Sequence, residues 1–261
     1  MLSVSLSLLF GEVAFLDRFE RAAAAGFGAV EFFWPAGERP ADVVAAARDA
    51  GVAVALFNLD AGDMDAGERG LAGDPGREAR LRANVPEALQ LAERLGCRRV
   101  NALAGHELPG LDREAQLRHA ETMLRWIAGA CAAAGVEAHV EPLNRRDTGP
   151  VLIGTAAEAE AMIERVGADN LRLQYDVFHG FRAGEDPAAE LERRAALLGH
   201  VQLADAPGRH EPGSGAIDFA AVFAALDRIG YAGDVGLEYV PAAGTEAGLA
   251  RVRAQLARVT R

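Results

Sequence analysis

Short apolar runs alternate with longer amphipathic stretches along the whole chain, and nearly every run carries a polar residue close to its end. Residues 2–10, LSVSLSLLF, place serines at every second position, the period of a strand. Residues 15–25 then group Phe15, Leu16, Phe19 and several alanines on one helical face, and Gly26 stops the helix. The same couple recurs: strand 30–34, halted by Pro35, with helix 42–50; strand 52–59 with helix 77–95; strand 99–103 with helix 114–134. It continues with strand 136–144 and helix 155–166, strand 171–177 and helix 187–198, strand 201–203 and helix 219–229, and strand 235–240 and helix 246–259. Thr155 and Glu158 are spaced as a capping box at the head of their helix.

Eight strand–helix units in strict alternation, with no linker between them, predict an α/β chain folded as a single (β/α)8 TIM barrel over residues 1–261. An open doubly wound sheet is the competing architecture, and the absence of a GxGxxG or Walker loop after an early strand weakens it. Residues 59–76, LDAGDMDAGERGLAGDPG, are too long for a tight turn and read as either a functional lid or a disordered insert.

Composition narrows the chemistry. All 27 basic residues are arginine, so Schiff-base chemistry on lysine is excluded. A formal net charge of −11 opposes an electrostatic grip on nucleic acid, though one arginine suffices for one small carboxylate. Cys97 and Cys131 lack any CxxC spacing and are expected as buried free thiols. No signal peptide and no membrane-length apolar run is evident, which predicts a soluble cytoplasmic protein with no membrane partner.

In a closed barrel, the polar residues near the strand ends, Ser7, Glu31, Asn58, Asn101, Glu141, Asp176, Gln202 and Glu238, would converge on one mouth. A single charged residue at a strand end is ordinarily just where the chain meets water, as Glu141 before Pro142 would be by itself. The set is harder to explain that way. Glu141, Asp176 and Glu238 would repel one another unless a cation holds them, and carboxylates with the Gln202 carbonyl favour Mg²⁺ or Mn²⁺ over zinc.

The segments VEPLN, QYDVFH, QLADAPGRHEPGSG and GLEY, with AGERG in the third loop, resemble the hydroxypyruvate isomerase family of the xylose isomerase-like barrels over essentially the whole chain. The resemblance implies Glu141, Asp176, Gln202 and Glu238 as metal ligands, with Glu141 and Glu238 also the proton donor and acceptor. It further implies interconversion of hydroxypyruvate and 2-hydroxy-3-oxopropanoate (tartronate semialdehyde) through an enediol(ate), without a redox cofactor. The implied partner is a small 2-oxo or hydroxy acid, and a homo-oligomer is compatible with it. His179 is expected to hydrogen-bond a substrate oxygen and Arg209 to hold a substrate carboxylate; His210, Glu211, Gly213 and Gly215 match the family's loop without individual roles. Glu31, Asn58, Asn101 and His106 either line the pocket or fill barrel layers. Related ketose 3-epimerases carry glutamate where this chain has Asp147 and usually histidine where it has Gln202, which argues against a sugar epimerase. The alternatives are a 2-oxo-tetronate isomerase or ketose 3-epimerase, a non-catalytic sugar-acid binding protein and, more remotely, a metal-dependent AP endonuclease. Six dispersed histidines suit the last poorly.

Overall fold

The structure, a computed structural model, describes residues 1–259. Strands β1 (Leu2–Ser5), β2 (Ala29–Phe32), β3 (Ala53–Asn58), β4 (Arg99–Asn101), β5 (Glu137–Val140), β6 (Leu171–Asp176), β7 (Leu198–Leu203) and β8 (Val235–Leu237) close in sequential order into one parallel barrel. Between them run helices α1 (Asp17–Ala24), α2 (Pro40–Ala50), α3 (Glu78–Leu95) and α4 (Arg113–Ala133), and later α5 (Arg145–Thr148) and α6 (Ala156–Val166). Helices α7 (Val177–Arg182), α8 (Pro187–Arg193), α9 (Phe219–Arg228) and α10 (Thr245–Val259) complete the ring. The barrel expected from the alternating pattern is therefore the fold observed. No helix of the described residues is long and apolar enough to cross a membrane.

Three departures from the sequence reading have local causes. Helix α8 stops at Arg193, not at residue 198, because Leu198 is already the first residue of β7 and pairs with Leu173. Helix α7 begins directly at the end of β6, where Asp176 caps it by accepting from Phe178 N–H at 2.8 Å. Half of the expected capping box forms: Thr155 Oγ1 accepts from Glu158 N–H, but the Glu158 carboxylate turns to Gly154 N–H and to Arg145.

Strand alternation sorts the two faces. Phe32 and Phe57 stack on the outer face with ring centroids 5.6 Å apart, and Phe15 and Phe19 of the α1 region meet Phe32 and each other edge-on. The inner face is polar: Ser3, Ser5, Glu31, Asn101, His139, Gln174, His200 and Gln202 are all buried. Register shifts at Val30/Glu31 and Leu173/Gln174 re-aim these positions, and after the second one Asp176 lies opposite Gln202. Cys97 and Cys131 are free and buried, and burial pushes their thiols up to about 11 and about 12.

The long third loop is neither disordered nor a free flap. Gly70 bridges Ala104 beyond β4, Gly73 N–H donates to Ala104 C=O at 2.7 Å, and Met64 packs beside Ala61, Leu103, Leu143 and Val151. Gly70 has φ +120°, and a Cβ there would collide with the Leu103 carbonyl. Gly70→Ala is therefore expected to lower stability by about 2–4 kcal/mol, read as a fall in the urea unfolding midpoint. An unchanged midpoint would show that the loop does not depend on this approach.

Candidate active site

Glu141 stands one residue past β5 because Pro142 ends the ladder there. Its Oε2 accepts from Asn101 Nδ2 at 2.7 Å and from Gln174 Nε2 at 3.1 Å. Gln174 spends its second N–H on Gln202 Oε1 at 2.7 Å. Gln202 then donates both of its own N–H groups to carboxylates, Glu31 Oε1 at 2.8 Å and Glu238 Oε1 at 3.1 Å. Glu141 and Glu238, on strands three apart, are thus connected by two buried amides. Below them, Glu31 is held by His200 Nε2 at 2.7 Å and by Ser3 Oγ. Gly236 is required beside it, because a Cβ would strike the Glu31 carboxylate.

Asp176 divides its two oxygens. Oδ1 caps α7, while Oδ2 accepts from Arg209 Nη2 at 3.1 Å and lies 3.8 Å from His179 Nε2. Arg209 Nη2 also reaches Glu238 Oε2 at 2.5 Å, so one guanidinium spans two of the carboxylates that the sequence places at this mouth. Its backbone is left-handed, with φ 55°, and its loop is folded around Asp205, which accepts from the N–H groups of Ala206, Gly213, Gly215 and Ile217. The Arg209 C=O accepts from Val240 N–H, which ties the loop to the segment after β8.

His179 is fully fixed. Asn144 is the N-cap of α5, and since its Oδ1 accepts from Asp147 N–H, its Nδ2 must face the other way, onto His179 Nδ1 at 2.8 Å. Asn144 backbone N–H donates to the same Nδ1 at 3.1 Å. Nδ1 is therefore an acceptor, and a neutral ring carries its proton on Nε2. Burial, then the charges of Arg209 and Arg69, lower the histidine's proton affinity well below its ordinary value, so the ring is neutral. Glu141, Asp176 and His179 offer ligand atoms within 4.8 Å of one another, but the tautomer makes His179 a hydrogen-bond donor rather than a metal ligand.

Burial dominates the electrostatics. The Glu141 carboxyl is pushed up to about 8 by burial, with the Asp176 charge adding to it. Asp176 is raised and Glu238 raised well above the usual carboxylate range, again by burial first, with Arg209 opposing in both cases. Glu31, Glu141, Asp176 and Glu238 are each 5% exposed or less, and Arg209 is the one guanidinium bonded to any of them among the described residues. An excess of buried negative charge on an oxygen-rich donor set fits a divalent cation. Glu141, Asp176, Glu238 and the carbonyl of Gln202 are the residues that would hold it.

Several sequence-marked positions lie elsewhere. Asp147 is paired with Arg182 through both oxygens, at 2.7 and 2.5 Å, which lowers its carboxyl below the ordinary range. His106 Nε2 contacts Gly67 C=O of the third loop, and His210 Nδ1 contacts Val240 C=O. Glu211 accepts from Ala242 N–H and pairs with Arg251, so it braces the loop after β7. Ser7 accepts from Phe33 N–H, whereas Asn58 adjoins the site, accepting from the Asn101 amide that also donates to Glu141. The residues overlooked in the sequence are Gln174, His200, Asn144 and Asp205. Gln174 and His200 stand two positions before Asp176 and Gln202, so strand alternation alone already turns them inward. Asn144 and Asp205 act through loop geometry that has no such periodic signal.

Comparison with known proteins places this arrangement. The family model for the xylose isomerase-like TIM barrel matches residues 19–255. The 2-oxo-tetronate isomerase of Cupriavidus necator is 40% identical over 98% of this chain and 98% of its own length. The hydroxypyruvate isomerase of Escherichia coli is 37% identical over 95% of this chain and 96% of its own length. A crystal structure from Brucella melitensis, described as an AP endonuclease of family 2, superimposes with a TM-score of 0.91 at 38% identity, covering 97% of this chain and 98% of that one.

Proposed function

The chain belongs to the xylose isomerase-like TIM barrel family and is an isomerase akin to the hydroxypyruvate and 2-oxo-tetronate isomerases, and on that footing we propose that it interconverts hydroxypyruvate and 2-hydroxy-3-oxopropanoate. The observation that carries the reading is the buried pair Glu141 and Glu238, joined through Gln174 and Gln202 and flanked by the Nε2–H of His179 and by Arg209. One glutamate takes a proton from the hydroxyl-bearing carbon, the electron pair moves into a cis-enediolate, the hydroxyl proton passes to the neighbouring oxygen, and the other glutamate returns a proton to the carbon that bore the carbonyl. Substrate and product are isomers, so no electron acceptor is needed.

The remaining residues orient and stabilise. A divalent ion, Mg²⁺ or Mn²⁺ by the oxygen-rich donor set, would acidify the C–H beside a bound carbonyl. His179 Nε2–H donates to the oxygen on which charge develops, its ring held by Asn144. Arg209 leaves part of its contact with Asp176 and Glu238 to receive the substrate carboxylate. Asp147 takes no part, being occupied by Arg182. The buried free thiols suit a reducing cytoplasm, and the activity belongs to the metabolism of small sugar-derived acids.

The four-carbon 2-oxo-tetronate is the second reading, favoured by the 40% identity to the Cupriavidus necator isomerase. Purified protein stripped of metal and reloaded with Mg²⁺ or Mn²⁺ is offered hydroxypyruvate, 2-oxo-tetronate, ketohexoses and abasic-site DNA in parallel. The expected outcome is metal-dependent turnover highest for hydroxypyruvate. A higher kcat/KM for 2-oxo-tetronate would move the assignment to the four-carbon acid. Turnover of ketohexoses alone, or cleavage of the DNA against the chain's net charge of −11, would sink it.

A further inference from the structure

We infer that Glu31, deep in the barrel on β2, is a positioning residue: by accepting an N–H of Gln202 it sets which way that amide faces, and so presents the Gln202 carbonyl to the divalent ion. The inference rests on the preceding reading that Glu141, Asp176, Gln202 and Glu238 hold such an ion; Glu31 acts on it through Gln202 alone. A primary amide turned end for end exchanges its oxygen for its nitrogen at nearly the same place. At Gln202 the partners decide the turn. Both N–H groups meet carboxylate oxygens, Glu31 Oε1 at 2.8 Å and Glu238 Oε1 at 3.1 Å, and the carbonyl accepts from Gln174 Nε2 at 2.7 Å. The carbonyl therefore lies on the side of Gln174, whose amide also reaches Glu141. Of the two acceptors Glu238 is itself counted among the ligands, which leaves Glu31 to hold the nitrogen.

The Glu31 carboxylate is fixed on every side. It is 1% exposed, and its Oε2 accepts from His200 Nε2 at 2.7 Å and from Ser3 Oγ at 3.3 Å, so Oε1 is left to Gln202. His200 is fully buried and its Nδ1 has no partner, which makes Glu31 the one polar group its ring engages among the described residues. The register shift between Val30 and Glu31 aims the side chain inward, and β8 makes room with Gly236, where a Cβ would strike both carboxylate oxygens. No guanidinium is bonded to Glu31 among the described residues. Filling a barrel layer needs only an apolar side chain, whereas a buried carboxylate with no guanidinium against it costs stability. Gln202 accounts for the cost. An apolar residue at this position would leave one of its N–H groups unpaired and free the amide to turn over.

Titrating metal-free protein with Mn²⁺ in a calorimeter reads the effect without turnover. Glu31→Leu is expected to weaken Mn²⁺ binding by about ten- to a hundredfold, the span usual for loss of a group that orients a ligand. Glu31→Gln, whose amide oxygen still accepts from Gln202, is expected to recover most of that loss. In a Gln202→Ala background no amide is left to orient, and there Glu31→Leu is expected to change the affinity by less than about twofold. His200→Leu unhooks Glu31 Oε2 and gives a second reading should Glu31→Leu not fold: binding weaker by about tenfold, again only while Gln202 is present. Losses of equal size with and without Gln202 would mark Glu31 as structural and overturn the inference. An unchanged affinity in Glu31→Leu and His200→Leu, or no recovery with Glu31→Gln, would overturn it as well. Parent protein that binds neither Mn²⁺ nor Mg²⁺ would instead overturn the cation site itself, and the inference with it.

Discussion

Glu141→Gln is expected to reduce solvent-hydrogen exchange at the substrate carbon by about 10²- to 10⁴-fold, the span usual for loss of a positioned acid or base. The amide is close in shape to the carboxylate, and its oxygen still accepts from Asn101 Nδ2 and Gln174 Nε2. Folding should survive, because the change removes a buried charge whose proton affinity burial had already raised to about 8. Metal-free Glu141→Gln should therefore unfold at a urea concentration equal to or above that of the parent at pH 8. Glu238→Gln should lose exchange to a similar degree but gain less stability, since Arg209 then keeps only Asp176 as a charged partner. Exchange measured by deuterium incorporation in D₂O separates the cases. Either variant exchanging at the parent's rate would make the two-carboxylate scheme wrong.

The second large effect is on stability and is set by pH and cation together. Glu141, Asp176 and Glu238 have folded-state proton affinities raised above their unfolded values. Between those limits the folded protein binds more protons than the unfolded chain, so stability is full below about pH 4.5 for these groups and falls as pH climbs through the raised values. The buried neutral rings of His139 and His179 act in the opposite sense, costing stability as pH drops below their ordinary range. Metal-free protein is therefore expected to be most stable near pH 6 and to lose a few kcal/mol on going to pH 9, since each tenfold rise in a carboxylate's proton affinity on folding is worth about 1.4 kcal/mol. Saturating Mg²⁺ or Mn²⁺ should flatten that decline, because the carboxylates then remain ionised against a cation. Urea midpoints at pH 6, 7, 8 and 9, with and without metal, test this. A metal-free midpoint that rises over this range, or a metal effect that does not grow with pH, would contradict it.

Legibility in the sequence followed periodicity. The apolar two-residue rhythm and the helical faces located all eight strands, and the barrel followed from their strict alternation. Glu141, Asp176, Gln202 and Glu238 were marked by position at strand ends, and the structure brings them into one hydrogen-bonded cluster with Arg209. Gln174 and His200 carried the same signal two residues earlier but were hidden inside runs that read as plain strand. Asp147 was marked by its distance from Glu141 along the chain. Its pairing with Arg182 arises from the contact of two short helices, α5 and α7, that neither strand period nor spacing announces.

Which residues face inward was written in the chain, because side-chain direction along a strand is a local property with a period of two. The fold class, the all-arginine basic set and the strand-end acids were written there too. How those inward groups meet is a tertiary matter, since barrel closure and the register shifts at Glu31 and Gln174 set which layers align. That alignment turns both amide hydrogens of Gln202 to carboxylates and commits His179 to a single tautomer through Asn144. It also brings Arg209, from a left-handed turn, between Asp176 and Glu238. These are relations between segments up to 171 residues apart, as between Glu31 and Gln202. They depend on closing the sheet, which no local pattern encodes.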